Sequence, residues 1–204
     1  MTTLKTTFHD IKADFKRRVK LEGEEHFGLL NKLVLLIKPG FVGVVCYRLS
    51  HYLIETRISV LCRLLHAINF FYARVEIDPE AHIGPGLVLS DIGGIGIPDA
   101  VVIGKNCTFL GFNTLTLNKV GDVDFHYAQI VLGDHCVLGV RSKVMRPITI
   151  ADGAQIKDGS VVMFPVAKTG TTLSGIPAKK RQIDDYENII NWNPLMGGPL
   201  GERN

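Results

Sequence analysis

Seven histidines occur in the chain, and three of them, His82, His126 and His135, fall after residue 75. Imidazole is the side chain best suited to take and return a proton near neutral pH. His126 stands in LNKVGDVDFHYAQ (117–129), beside Asp122 and Asp124. A carboxylate next to an imidazole can orient it as a general base; the plainer alternative is a loop histidine that only hydrogen-bonds locally. His82, in DPEAHIG, and His135, in LGDH, read as solvated turn residues. His51 and His66 fall in apolar stretches and read as core or interface residues. Lys179, Lys180 and Arg181 form a cationic run at the end of SGIPAKKR, either a phosphate-binding group or a solvated terminus. Cys46, Cys62, Cys107 and Cys136 have no CxxC or other metal-ligand spacing, so neither a zinc site nor a disulfide is expected. The glycines of GGIG and GIGIPDA read as repeat turns, not as a nucleotide-binding fingerprint.

The elements that must carry these groups follow a beat of six. Aliphatic residues recur at Leu132, Leu138, Val144, Ile150, Ile156 and Val162, with small residues four places on at Cys136, Ser142, Ala154 and Ser160. The same beat opens at Ile77, Ile83 and Leu89. A period of six fits neither an α-helix nor a half-buried strand; it fits a β-solenoid in which three short sides close each coil. The aliphatic residue points into the shaft and the small one fits its narrow corner. The beat slips by two residues between Ile95 and Ile103, and breaks over 117–129, a loop expected to project from a corner. Three regions result: a helical region over 1–75, the solenoid over 76–181, ending near Val166 before a last strand at SGIPAKK, and a tail over 182–204. Residues 184–191 read as a short helix ahead of a Pro/Gly-rich, mobile end. In the first region Leu4, Phe8, Ile11, Phe15 and Val19 share one face of an expected helix over 4–20, which either packs on the protein or lies on an anionic membrane surface. A second helix over 26–37 stops at Pro39-Gly40, and two further apolar helices are expected to cap the first coil.

VEIDPEAHIGPGLVLSDIGGIGI, VVIGKNC, RPITIADGAQIKDGSVV and SGIPAKK together resemble the left-handed parallel β-helix of hexapeptide-repeat acyltransferases. Within that group the chain is similar to the serine O-acetyltransferase branch and to acetyltransferases of surface-polysaccharide clusters. The resemblance implies acetyl-CoA as co-substrate, no metal, a homotrimer, and a site in the groove between two subunits. The branch carries an Asp-His pair early in the solenoid. Matching GLVLSDIGG to it puts Ser90 and Asp91, or Asp91 and Ile92, on that pair, so the early histidine is missing. Its loop histidine matches His126, but Phe125 replaces the preceding arginine that helps to hold an amino-acid carboxylate. The resemblance therefore makes His126 the candidate base, oriented by Asp124, Asp122 or Asp91. Asp91 is itself a base if burial raises its pKa, or else a corner residue in a turn. Gly139, Ser142 and Gly175 match positions that face pantetheine, and Lys179, Lys180 and Arg181 match basic residues beside the nucleotide.

With Phe125 in place of arginine, the reading leans to O-acetylation of a saccharide. Serine as acceptor is the alternative, and a non-catalytic scaffold that has lost its histidine is the competing class. No covalent nucleophile stands out, so direct transfer is expected. The N-terminus is charged throughout and no run of 18 apolar residues occurs, so the expected setting is the cytoplasm, with the inner membrane surface as an option for helix 4–20. Residues 1–75 carry 12 Lys and Arg against 6 Asp and Glu, and 76–204 carry 11 against 14. Neither half has the basic-aromatic interleaving of a nucleic-acid binder.

Overall fold

The computed structural model describes residues 3–23, 28–56, 59–117 and 129–180, and the short pairs 192–193 and 198–199. Three parallel sheets form its body. Sheet 1 holds β1 (Val75–Ile77), β4 (Ile95–Ile97), β7 (Thr114–Thr116), β10 (Lys143–Met145) and β13 (Val161–Val162). Sheet 2 holds β2 (His82–Ile83), β5 (Val101–Ile103), β8 (Ile130–Leu132) and β11 (Thr149–Ile150). Sheet 3 holds β3 (Val88–Leu89), β6 (Thr108–Phe109), β9 (Val137–Leu138), β12 (Gln155–Ile156) and β14 (Thr172–Ser174), with β15 (Lys179–Lys180) added antiparallel at its end. The chain visits the sheets in turn, so strands from β1 to β10 pair with the third strand after them, and β12 pairs with β14.

The register explains the six-residue beat. Leu132 pairs with Ile150, Leu138 with Ile156 and Val144 with Val162, eighteen residues apart, or three sides per coil. All six side chains are buried in one continuous core. Cys136, Ser142, Ala154 and Ser160 are fully buried beside them. Two features depart from the sequence reading. Ile77 pairs with Ile97, Ile83 with Ile103 and Leu89 with Phe109, twenty residues apart. Ile97 is thus the counterpart of Ile77 and already stands six residues before Ile103. The two extra residues lie earlier, in the corner Ser90-Asp91-Ile92-Gly93-Gly94, and not between Ile95 and Ile103. The winding also continues past Val166, since Ile156 pairs with Leu173. The expected helix over 184–191 lies outside the described residues; beyond it Trp192–Asn193 pairs antiparallel with Gly198–Pro199.

Four helices precede the coils: α1 (Leu4–Glu22), α2 (Leu29–Ile37), α3 (Pro39–Glu55) and α4 (Ser59–Ile68), the last running into a widened π turn, Asn69–Ala73. Thr3 and Thr6 cap α1 reciprocally. α3 caps the first coil. Val44 and Tyr47 enter the solenoid core, and the Tyr47 hydroxyl donates to the Ala81 carbonyl at 2.7 Å. Phe15 of α1 meets Phe41 of α3 edge-on at 5.4 Å.

The face that α1 buries is only partly the apolar one. Leu4 and Phe8 stay 48% and 59% exposed, whereas Thr7, Asp14, Arg18 and Val19 are buried. The reason lies in the coil corners, whose backbone groups point outwards and need partners. Arg17 donates to the Cys107 carbonyl at 2.8 Å and to the Thr108 hydroxyl at 2.9 Å. Arg18 donates to the Leu89 carbonyl, and Arg48 of α3 to those of Ile83 and Gly84. Asp14 accepts from Gly86 and Leu87 backbone N–H at 2.6 and 2.7 Å and pairs with Arg48 at 3.0 Å. On the far side, α2 and the α4 region leave Leu30, Ile37, Val60, Leu64 and Phe71 more than half exposed. Among the described residues no single helix is long and apolar enough to cross a membrane; one bent pair, Leu30–Ile37 with Pro39–Ile54, passes by length and composition.

Candidate active site

Along β1 the inward residues Val75 and Ile77 alternate with outward Arg74, Glu76 and Asp78. Glu76 is paired with Gly96 of β4, and Gly96 with Thr114 of β7. A side chain at Gly96 would meet nothing within 4 Å, so the sheet opens there into a trough. Two adjoining hollows of about 460 and 450 Å³ share Glu76, Gly96 and Thr114 as floor. The first is walled by His66 of α4 with Asp78 and Asp99, the second by Phe70, Arg74 and Gly94. Each can hold a small acceptor and an acyl group.

The groove lies between the two corners that the sequence marks. At one edge the 90–94 corner leads into β4. At the other the chain leaves sheet 1 after Thr116 and returns at Gln129, before β8. His126, Asp122, Asp124 and Phe125 belong to the intervening segment 118–128, outside the described residues. The pairing of Leu115 with Val144 places eleven residues more than a regular coil within this break.

Asp91 is tied to the helical layer. Its carboxylate accepts from Gly40 backbone N–H at 3.0 Å and from Arg18 at 2.7 Å, with Lys38 at 4.0 Å. It ties the 90–94 corner to α1 and to the N-terminus of α3. Lys38 and Arg18 also pair with Glu22; burial pushes the Glu22 carboxyl up, but their hydrogen bonds outweigh it and hold its pKa below the usual value.

The positions matched to coenzyme A lie along the corner between sheets 3 and 1. Ser142 is fully buried, and its hydroxyl and the Gly139 carbonyl both accept from the Asn113 amide, at 2.9 and 2.7 Å. A side chain at Gly139 would strike Asp158 of the next coil. Gly175 adopts φ +100° beside exposed Ile176, and its N–H donates to Ser160 Oγ. Lys179 and Lys180 are exposed on β15, and Arg181 lies outside the described residues.

Of the other histidines, His51 donates from Nδ1 to the Pro79 carbonyl, 2.6 Å away, and meets His82 edge-on. His135 sits exposed at a corner near Arg17 and Lys20. Neither His82 nor His135 lies on sheet 1. His66 does line the groove, a placement the sequence reading missed. All four cysteines are free and buried. The neighbouring Cys136 thiol and burial push the Cys107 thiol far up, which removes it as a nucleophile. Among the described residues no cluster of His, Cys, Asp and Glu is arranged to hold a metal ion.

No family model matches the chain. It is 31% identical over 188 residues to the serine acetyltransferase of Synechococcus elongatus, covering 92% of this chain and 72% of that one. It is 33% identical over 146 residues to the serine acetyltransferase of Helicobacter pylori, covering 72% and 83%. The crystal structure of Neisseria gonorrhoeae serine acetyltransferase in complex with serine superposes with a TM-score of 0.74 at 27% identity, covering 88% of this chain and 70% of that one. By these relationships the chain is an acetyl-CoA-dependent acyltransferase that passes acetyl to a hydroxyl, and it belongs to the serine acetyltransferase family.

Proposed function

We propose that this chain transfers the acetyl group of acetyl-CoA to the side-chain hydroxyl of serine, held in the groove over sheet 1. The observation that carries the reading is the groove's charge pattern. Arg74 stands at one end, Asp78 and Asp99 stand at the other, and Glu76 lies on the floor between them. A guanidinium suits a carboxylate and carboxylates suit an ammonium, so the trough is complementary to a zwitterion. Arg74 can then do what the arginine replaced by Phe125 does in the family. The saccharide reading rested on Phe125 alone, and the named relatives weigh towards serine.

In this reading the coils are left-handed and three copies assemble, with coenzyme A along the corner of Gly139 and Gly175. Lys179, Lys180 and Arg181 take its phosphates, and His126 is a loop residue of the acceptor site. Transfer is direct, without an acyl-enzyme. Thiol release from acetyl-CoA, measured with serine and with a panel of sugars, tests this. Saturable release with serine is expected. Arg74→Met should raise the serine KM about 10- to 100-fold, the loss of about 1.5–3 kcal/mol from a charged hydrogen bond. Release with sugars but not serine would overturn the acceptor. Absence of acetyl-CoA binding at millimolar ligand would favour the non-catalytic scaffold.

A further inference from the structure

The corner that matches the family's early histidine holds Asp91, and its carboxylate is committed to Arg18 and Gly40. Acetyl transfer to a hydroxyl still needs a group to take the hydroxyl proton. We propose that His66 of α4 is that general base. This rests on the acyl-transfer reading above.

Three observations converge on it. His66 lines the groove over sheet 1, above a floor of Glu76, Gly96 and Thr114. Among the described histidines it alone does so: His9 is on α1, His51 and His82 face sheet 2, and His135 is at the corner against α1. Its ring is half-buried and makes no hydrogen bond or ion pair with the described residues, unlike that of His51. Asp78 and Asp99 stand on the same wall. Each is turned by one backbone bond, from Glu80 N–H and Ala100 N–H at 2.8 Å, which fixes the carboxylates without exhausting them. An open trough, an imidazole with no other task and oriented carboxylates make a base site.

The step balances simply. The acceptor hydroxyl gives its proton to the His66 ring as its oxygen bonds to the thioester carbonyl carbon. The tetrahedral adduct then collapses, the carbon–sulfur bond breaks, and the imidazolium returns the proton to the departing coenzyme A sulfur.

The test measures thiol release by wild type, His66→Gln and His66→Ala, with serine and with water alone as acceptor. Acetyl-CoA affinity and the melting temperature are followed in parallel. His66→Gln is expected to lower kcat at least 100-fold at unchanged acetyl-CoA Kd, for both acceptors. Added imidazole should restore part of the activity of His66→Ala, which a merely structural histidine would not allow. If His66→Gln keeps kcat within threefold, His66 is not the base and the serine reading stands. If wild type only hydrolyses acetyl-CoA and His66→Gln does not, the base stands and serine falls. Wild type inert with both overturns both.

Discussion

Replacing Asp91 separates an anchoring carboxylate from a catalytic one. In Asp91→Ala the Arg18 guanidinium loses a 2.7 Å partner, and the Gly40 N–H at the start of α3 loses its acceptor. The ionic bond is one-third exposed at Asp91, which discounts it to about 1–2 kcal/mol. A lost helix N-terminal acceptor adds about 1 kcal/mol. The sum, about 2–3 kcal/mol, corresponds to a fall in Tm of about 5–10 °C for a chain of this size. Asp91→Asn keeps an oxygen for Gly40 and should lose only the ionic part. Calorimetry of both variants, with kcat at 25 °C, checks this: Tm should fall in that order while kcat stays within about threefold. A kcat reduced 100-fold in Asp91→Asn at wild-type Tm would refute the anchoring role and return Asp91 to the chemistry.

Two further outcomes follow from the same anchor. Asp14→Asn leaves Arg48 buried without its counter-charge and should cost about 3–5 kcal/mol, read as a shifted urea midpoint. Burial holds the Asp14 carboxyl above the usual value against the pull of Arg48, so the folded state binds that proton more tightly than the unfolded chain. Its contribution to stability therefore falls as pH rises from the ordinary carboxylate value through the raised one, and Asp14→Asn should steepen the rise of Tm with pH across that window. Gly40→Ala puts a methyl 2.2 Å from the Leu89 carbonyl oxygen and 2.9 Å from Asp91. Backbone cannot yield there as a side chain would, so a loss of about 3 kcal/mol is expected, and an unchanged urea midpoint would contradict the close approach of α3.

The coils were legible in the sequence because the aliphatic residues from Leu132 to Val162 stack on counterparts eighteen residues on. The signal is covalent spacing itself. The two-residue slip was harder to place, since Ile95 and Ile97 are equally apolar and only pairing to Val75 and Ile77 distinguishes them. The buried face of α1 was only partly legible, for a physical reason. Hydrophobic periodicity assumes that apolar area decides which face docks, whereas here outward carbonyls of the coil corners demand donors, and Arg17 and Arg18 answer them. Arg74 and the stripe it begins were visible as alternation along VEID, once Val75 and Ile77 were known to point inwards. His66 carried no local signal, because its position depends on how α4 settles over a strand that begins seven residues after α4 ends.

The anchor and the groove are physically linked. By the resemblance, the early corner of the family carries an Asp-His pair; here Ser90-Asp91 or Asp91-Ile92 falls there, and the Asp91 carboxylate binds helices instead. That exchange moves an ionic fastening to the top of the coil, where α1, α3 and the 90–94 corner meet. α3 packs in turn on α4, which carries His66 to the wall of the trough. The corner that has no imidazole therefore helps to position the helical layer that supplies one. A general base carried on a docked helix is only as well placed as the docking, so loss of the Asp91 anchor should cost activity only at temperatures where the helical layer loosens, through geometry and not through protonation. Near the melting transition Asp91→Ala should lose activity in step with unfolding of α3 and α4, whereas His66→Gln should be inactive at every temperature.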